Sequence, residues 1–218
     1  MPSQAKENYL KALYHLHTQN AEISLSELGA NLGVSKPTAN DMIKKLHKEG
    51  WVKYERYRPI YLTQKGIFKA ALVIRKHRLS EMFLTQIMGF GWEEVHDIAE
   101  DLEHINSEMF FDRMDELLGF PNVDPHGSSI PNKNGEVVKV NYKSFADFNE
   151  GSTVVVKALR DSSTEFIQYL NKKEIRLGTK IVINQVEPFD KSLIVSYENF
   201  SFQTLSSSVY KRLLVSEV

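Results

Sequence analysis

The sequence has no cysteine among its 218 residues. That absence excludes disulfides, thiolate nucleophiles, iron–sulfur clusters and cysteine-ligated zinc, so any metal site has to use histidine, carboxylate, amide, carbonyl or thioether groups. No apolar run reaches the roughly 18 residues that a membrane-spanning helix needs. The N-terminal MPSQAKENY also lacks the apolar region of a signal peptide. We therefore expect a cytoplasmic protein without a membrane partner.

The charges are nearly balanced overall but unevenly distributed along the chain. Residues 1–80 hold 14 Lys and Arg against 6 Asp and Glu, a net charge of +8, and residues 81–218 hold 13 against 22, a net charge of −9. A basic N-terminal part indicates a polyanion such as DNA as its partner, although a chance fluctuation would give the same imbalance.

The first part of the chain, residues 1–65, carries the pattern of a winged helix-turn-helix. Helical apolar spacing over residues 4–19 is followed by Ser24, which begins a capping-box sequence. Ser35 is placed to cap a further helix over about 36–48, and two β-like segments, WVKYE and PIYLT, come after it. This order of elements predicts a DNA-binding domain with residues 36–48 as its recognition helix.

The start of the recognition helix and the wing supply the candidate DNA contacts. Small or polar side chains suit base edges and phosphates, and basic side chains suit phosphates. A winged helix that contacts another protein, or a charged face that is only solvated, would show a similar pattern. The candidate DNA-binding residues are Ser35, Lys36, Pro37, Thr38, Asn40, Asp41, Lys44, Arg56 and Arg58.

Residues 66–140 form a second predicted domain, which is helical. One helix runs from Gly66 to about Gln86, a second covers EVHDIAEDLEHIN at residues 94–106, and a third covers SEMFFDRMDELLG. The third helix carries more apolar surface than one small core needs. Because a two-fold symmetric dimer also recognises a longer DNA site than a single copy, we expect a homodimer.

Two of these helices carry histidine and glutamate at helical spacing. If residues 94–106 are one helix, their two histidines and two glutamates share one face. Facing helices with such repeats build metal sites in bundles, and oxygen and imidazole donors favour Mn²⁺, Fe²⁺ or similar ions. A solvated face, ordinary salt bridges or an oxygen-activating enzyme are the alternatives. The residues are His77 and Glu81 on the first helix and His96, Glu100, Glu103 and His104 on the second.

The last part of the chain, residues 150–218, switches to β character after a loop-like linker near 121–150. The segments STVVVKAL, KIVINQV, SLIVSYE and VYKRLLV are strand-like, and SSTEFIQYLNKKEIRLG is a short helical segment between them. Four or five short strands predict a small SH3-like barrel. The fold class is therefore predicted as α+β with several domains.

Five segments carry a resemblance to a known family: ENYLKALYHL, SLSELGANLGVSKPTANDMIKKLHKEGWV, RKHRLSEMFL, EVHDIAEDLEHINSE and PHGSSIP. Together they resemble the DtxR/MntR family of metal-dependent transcriptional repressors over nearly the whole chain, and the tail resembles the SH3-like (FeoA-like) domain of its longer members. The resemblance implies a repressor rather than an enzyme, whose metal-loaded dimer binds palindromic operators of metal-uptake genes. A metal-independent winged-helix regulator is the second interpretation.

The resemblance also implies two adjacent metal sites in each chain. The primary site would join the first helix to the second helical domain, and the ancillary site would include a side chain from the SH3-like domain. The implied ligands are Asn8, Glu100, Glu103 and His104 for the primary site and His77, Glu81, His96 and Glu165 for the ancillary site.

Four positions depart from the family's pattern. Glu100 stands where iron-responsive members have cysteine, and Asn8 stands where members have methionine or aspartate. Because oxygen in place of sulfur favours harder ions, we expect Mn²⁺ over Fe²⁺, while Co²⁺, Ni²⁺ and Zn²⁺ would also bind such donors in vitro. Lys11 replaces a carboxylate ligand of two-domain manganese regulators, which argues against their binuclear site, and Ser162 replaces a carboxylate of the diphtheria-type ancillary site.

Overall fold

The computed structural model describes residues 3–19, 22–138 and 140–218. Within these residues, no helix combines the length and the apolar character that crossing a bilayer requires. The chain forms two compact units. The first unit comprises Met1–Ser80, Asp97–Asn122 and Ile130–Val138, and the second comprises Glu81–His96, Val123–Ser129 and Lys139–Val218.

The first unit begins with the predicted winged helix-turn-helix, which is confirmed. Ser24 caps the second helix through a complete capping box, and Ser35 caps the third helix by accepting the N–H of Thr38. An isolated antiparallel bridge between Ile23 and Ile60 ties the wing to the residue that precedes the capping box. The elements are α1 Gln4–Gln19, α2 Leu25–Asn31, α3 Lys36–Lys48, β1 Val52–Lys53 and β2 Tyr61–Leu62, with β1 and β2 antiparallel.

The core of this winged helix explains which face of α3 is exposed. Ala39, Ile43 and Leu46 lie on the inner face of α3 at helical spacing, and all three are fully buried. Leu13 of α1 and Leu28 of α2 belong to the same apolar core. The opposite, polar face of α3 therefore points to solvent.

Three further helices follow the wing. A buried ion pair joins the first of them to the last, because Arg75 lies 2.6 Å from the Asp115 carboxylate, and Arg75 also donates to the carbonyl oxygen of Pro131 at 3.0 Å. Ser107 caps the last of the three helices. Their bounds are α4 Gln64–Gln86, α5 Val95–Leu102 and α6 Glu108–Leu117.

The start of α4 packs directly on the backbone of the wing. Gly66 is buried there, and a Cβ atom on it would lie 2.0 Å from the carbonyl oxygen of Trp51. We expect Gly66→Ala to lower the free energy of unfolding by at least about 1–3 kcal/mol, because rigid backbone has to move. Thermal melting checks this, with Gln64→Ala on the exposed first residue of α4 as the control. Equal melting temperatures for both variants would contradict the packing described.

The second unit is built on a six-stranded antiparallel sheet with the order β3-β8-β4-β5-β6-β7. Its apolar core combines alternate residues of the central strands with the inner face of one helix. The elements are β3 Lys143–Ser144, a 3-10 helix Phe145–Asp147, β4 Thr153–Leu159, α7 Thr164–Lys172, β5 Lys180–Val186, β6 Leu193–Tyr197, β7 Phe200–Leu205, α8 Ser207–Tyr210 and β8 Leu213–Glu217.

The predicted SH3-like architecture is confirmed, but three of its details differ. The sheet begins at Lys143, ahead of the predicted start at 150, and Phe145 is fully buried in its core. The segment VYKRLLV is not one strand. Val209 and Tyr210 are adjacent and both buried, which suits a helical turn and conflicts with the alternating faces of a strand. The edge strand β7 was missed because only one of its six residues is buried.

Candidate metal centres and nucleic-acid interface

A fully buried carboxylate lies at the centre of one cluster in the first unit. The Glu103 side chain is 0% exposed, and its two oxygens lie 2.8 and 2.9 Å from the ammonium of Lys11 on α1. His77 of α4 donates from Nδ1 to the Glu103 Oε2 at 2.7 Å. Glu100 of α5 lies 2.5 Å from the same ammonium. Side chains from three helices therefore meet at Glu103.

The segment that carries this cluster is not one helix, which corrects the expectation for residues 94–106. The helix α5 ends at Leu102, and the next turn tightens so that the N–H of Ile105 donates to the carbonyl oxygen of Leu102. Glu103 and His104 therefore lie in a turn. In this turn, Glu103 contacts His77 of α4 and His104 contacts Glu7 of α1, so the two residues do not extend one face of α5.

A carboxylate on α1 orients His104. The Glu7 side chain is buried and accepts from the Nδ1 of His104 at 2.6 Å. The Nε2 of His104 then faces the cluster, 3.8 Å from the Oε1 of Glu103. A carboxylate that holds one ring nitrogen while the other faces a ligand set is the usual support of metal-binding histidine. Sequence reasoning missed Glu7, although it stands one residue before the predicted ligand Asn8.

Asn8 provides the test of whether these residues fit a cation. Its Oδ1 is buried and has no hydrogen-bond partner among the described residues. Asn8 lies three residues before Lys11, so the two share a face of α1. A buried carbonyl oxygen without a partner costs free energy, and a bound cation would satisfy it. The predicted primary set, with Glu100, Glu103 and His104, therefore fits a divalent ion.

Neighbouring groups stabilise the negative charge of the Glu103 carboxylate. Burial alone would raise the pKa of Glu103, but the hydrogen bond from His77 and the positive charge of Lys11 outweigh it, so the pKa lies below its ordinary value. Glu103 is therefore an anion at neutral pH, which is the state that binds a cation.

A second cluster lies in the second unit and was only partly anticipated. Glu81, Asp124 and His126 each offer a ligand atom, these atoms lie within 4.8 Å of one another, and all three residues are buried. The Nδ1 of His126 is 3.8 Å from one oxygen of Glu81, and the Nδ1 of His96 is 3.5 Å from the other. Glu81 therefore lies between two imidazoles.

The turn around His126 positions its imidazole. Asp124 Oδ1 accepts the N–H groups of His126 and Ser128, both at 2.9 Å, which closes a tight turn. Gly127 follows with a positive φ of 85°, where a Cβ would lie 2.2 Å from the carbonyl oxygen of Lys157. His126 thus occupies a fixed position between Asp124 and a glycine that no other residue can replace without strain.

The hydrogen bonds of His126 fix its tautomer. Its Nε2 lies 2.8 Å from the carbonyl oxygen of Trp92, so Nε2 carries the proton and donates. In the neutral ring, Nδ1 then presents its lone pair on the side of Glu81. A backbone carbonyl that accepts from the far nitrogen is a common support for a metal-binding histidine.

The protonation of His126 is coupled to the acids around it. Burial alone would lower the pKa of His126, but the hydrogen bond and charge of Glu81, with a further contribution from Asp124, raise it above its ordinary value. A proton therefore competes for this imidazole more strongly than for a free histidine, so cation binding here should weaken as the pH falls.

The residues of the predicted ancillary set divide between the two units. Within the second unit, Glu81 and His96 are neighbours, and within the first unit His77 donates to Glu103. Glu165 is exposed in the first turn of α7, and among the described residues it is absent from the ligand groups around Glu81. Asp124 and His126 were missed as candidate ligands. Their Asp-Pro-His-Gly sequence was the available signal.

The predicted DNA-binding residues lie on the exposed side of the winged helix. Lys36, Pro37 and Thr38 are exposed at the start of α3, and Arg56 and Arg58 are exposed in the wing. Asn40 is half-buried, and its Oδ1 accepts from the Tyr54 hydroxyl at 2.6 Å, which ties the helix to the wing. The remaining candidates are exposed as well: Ser35, Asp41 and Lys44.

The fold and these clusters define a winged-helix protein with two clusters of nitrogen and oxygen groups that could hold a metal ion. Three family models match the chain in sequence order. Residues 1–60 match the N-terminal DNA-binding domain of iron-dependent repressors, residues 63–132 match their metal-binding and dimerisation domain, and residues 143–217 match the FeoA domain.

Individual relatives agree with these matches. The iron-dependent repressor IdeR of Mycobacterium tuberculosis is 34% identical over 125 residues, which are 57% of this chain and 54% of IdeR. A manganese-dependent transcriptional repressor in complex with manganese is 30% identical, with a TM-score of 0.86 over 98% of this chain and 100% of that one. ScaR with bound Cd²⁺ is 30% identical, with a TM-score of 0.81 over both whole chains.

The chain belongs to the DtxR/MntR family of metal-dependent transcriptional repressors, as its sequence motifs indicate. The matched relatives are repressors, not enzymes. The sequence match spans only about half the length of the curated IdeR protein, 54%.

Proposed function

We propose that this chain is a metal-activated transcriptional repressor, in which a divalent cation bound at the Glu103 cluster couples the DNA-binding helices to the helical domain. The observation that carries the proposal is the buried convergence on Glu103, which includes side chains from α1, α4 and α5. The unpartnered Oδ1 of Asn8 supports it, because this oxygen lies on the helix that leads into the DNA-binding domain.

The residues that would hold the cation are Asn8 of α1 with Glu100, Glu103 and His104. A bound divalent ion would supply the positive charge that two neighbouring carboxylates need. Asn8 then fixes α1 relative to the end of α5, and Glu7 keeps His104 in its ligating orientation. If this arrangement is the one that binds DNA, the population shifts towards it, and DNA in turn tightens cation binding by the same factor.

The donor chemistry supports Mn²⁺ or Fe²⁺ as the physiological ion, with Mn²⁺ favoured. Both clusters consist of carboxylate, amide and imidazole groups, and the chain has no cysteine to favour softer ions. The second set, Glu81, Asp124 and His126 with His96 beside them, would hold another ion of the same class.

DNA binding would use α3 in the major groove and the wing on the backbone. A dimer would place two copies of α3 in grooves roughly 34–36 Å apart, or a multiple of that distance, on a pseudo-palindrome. The exposed apolar side chains of α6 support a homodimer, since Met109 is 80% and Leu117 is 61% exposed. The family resemblance implies operators of metal-uptake genes, and such a protein would act in the cytoplasm.

Exchanging a basic side chain of this surface for alanine tests the DNA contacts. We expect Lys36→Ala or Arg58→Ala to weaken binding to specific and random DNA by the same factor and to reduce the salt slope by about 1 per protomer, since each would remove a phosphate contact. Binding measured by fluorescence anisotropy at several salt concentrations checks this. Lys180→Ala, on an exposed position of β5, is the control. An unchanged salt slope would remove these residues from the interface.

The function as a whole is tested by DNA binding with and without metal. A DNA site selected in vitro with Mn²⁺-loaded protein is titrated with the protein in Mn²⁺ and in EDTA. We expect affinity to rise by about 5–150-fold with Mn²⁺, the usual range of coupling between two sites. A protein that binds its site equally well in EDTA would instead be a metal-independent winged-helix regulator.

A further inference from the structure

Lys11 occupies the centre of the predicted primary site. Its ammonium lies 2.5 Å from Glu100 and within 2.9 Å of both oxygens of Glu103. The Lys11 side chain is 23% exposed, whereas that of Glu103 is not exposed at all. A single positive charge of the chain itself therefore pairs with both carboxylates that the proposed function assigns to the cation.

The same lone pairs cannot serve the ammonium and a divalent ion together. Both oxygens of Glu103 already accept from Lys11, and Oε2 also accepts from His77. An ion bound to Glu100 and Glu103 would lie within a few ångströms of the Lys11 charge, and like charges at that distance repel strongly in a partly buried site. The two cations therefore exclude one another.

We propose that Lys11 is an internal counter-cation, which closes the primary site without metal and has to leave it when a divalent ion binds. It thereby sets the metal concentration at which the protein loads. This inference rests on the proposed function and adds a residue that determines metal affinity. Lys11 can leave because its ammonium is carried on a flexible four-carbon chain and is strongly hydrated in water, and because the side chain as a whole is already 23% exposed.

The first test measures the affinity for Mn²⁺ of Lys11→Met by isothermal titration calorimetry. We expect it to rise by about tenfold or more, because the competing charge is gone. The metal-free variant should melt at a lower temperature than the wild type, since Glu100 and Glu103 then lack a counter-charge. Lys11→Arg keeps the charge and should gain no affinity. Unchanged or weaker Mn²⁺ binding by Lys11→Met would overturn the proposal.

Lys6 offers a matched control on the same helix. It pairs with Glu49, outside the cluster, and its side chain is 22% exposed, close to the 23% of Lys11. We expect Lys6→Met to leave the affinity for Mn²⁺ unchanged. An equal gain in both variants would show an effect of net charge alone and would also overturn the proposal.

A second measurement uses the unmodified sequence, so it does not depend on a variant that folds. A short pulse of an amine-acylating reagent, followed by mass spectrometry, compares Lys11 with and without saturating Mn²⁺. We expect the Lys11 amine to react several times faster with Mn²⁺, while Lys6 keeps its rate. Equal protection of Lys11 in both states would contradict its displacement. A wild-type protein that binds no Mn²⁺ at all would instead overturn the proposed function.

Discussion

Replacing Glu103 with glutamine should abolish the response of DNA binding to Mn²⁺. Glutamine keeps the shape of the side chain but removes the negative charge at the centre of the cluster. The loss of a partner that only supports a ligand typically costs about 10–100-fold in metal affinity, so the loss of the central ligand should cost more than about 100-fold. The measurement is the Mn²⁺ concentration needed for half-maximal binding to the selected DNA.

Two controls separate this effect from damage to the fold. Glu108→Gln, on an exposed residue in the first turn of α6, should retain the full Mn²⁺ response. Glu103→Gln should retain the helical circular dichroism signal of the wild type, although its melting temperature should fall because Lys11 loses its main partner. A folded Glu103→Gln protein with the wild-type Mn²⁺ response would remove Glu103 from the metal site.

Replacing His126 with alanine should remove the second bound ion while the first remains. His126 is the only imidazole among the buried residues of the group formed with Glu81 and Asp124. Without it, the two carboxylates keep no buried imidazole, because the His96 side chain beside Glu81 is 48% exposed. We therefore expect the bound Mn²⁺, measured by equilibrium dialysis and elemental analysis, to fall by one ion per chain.

The loss of an ion in His126→Ala has its own controls. His17→Ala, on an exposed residue at the end of α1, should bind as much Mn²⁺ as the wild type. Combining His126→Ala with Glu103→Gln should leave a chain that binds almost none. If His126→Ala retains every ion of the wild type, the group around Glu81 is a network of buried ion pairs and not a metal site.

Local signals in the sequence predicted the winged helix well. The capping box at Ser24, the cap at Ser35 and the apolar spacing of α3 each act within a few residues, so they do not depend on the rest of the fold. The same reasoning failed for residues 94–106. Helical spacing continues through Glu103 and His104, but contacts with α1 and α4 hold these two residues in a turn.

The sequence predicted the chemical type of the groups in the candidate sites, but only some of the residues that the structure places there. Histidine and glutamate at helical spacing indicated nitrogen and oxygen ligands, and the structure gathers several of them into buried clusters. The partners of those ligands were not predictable. Glu7 reads as an ordinary first-turn acid of a helix, and Lys11 as an ordinary surface lysine, until the fold brings them to His104 and Glu103.

By itself, the sequence determined the order of the elements, the basic face of the winged helix and the absence of thiolate ligands, because composition can be counted and caps and periodicity are properties of short segments. Only the tertiary structure decided which side chains pair with one another in the buried clusters. Lys11 and Glu103 are 92 residues apart, and Glu7 and His104 are 97 residues apart. Pairing over such distances follows from how the helices pack, since a buried charge is tolerated only where packing supplies its partner.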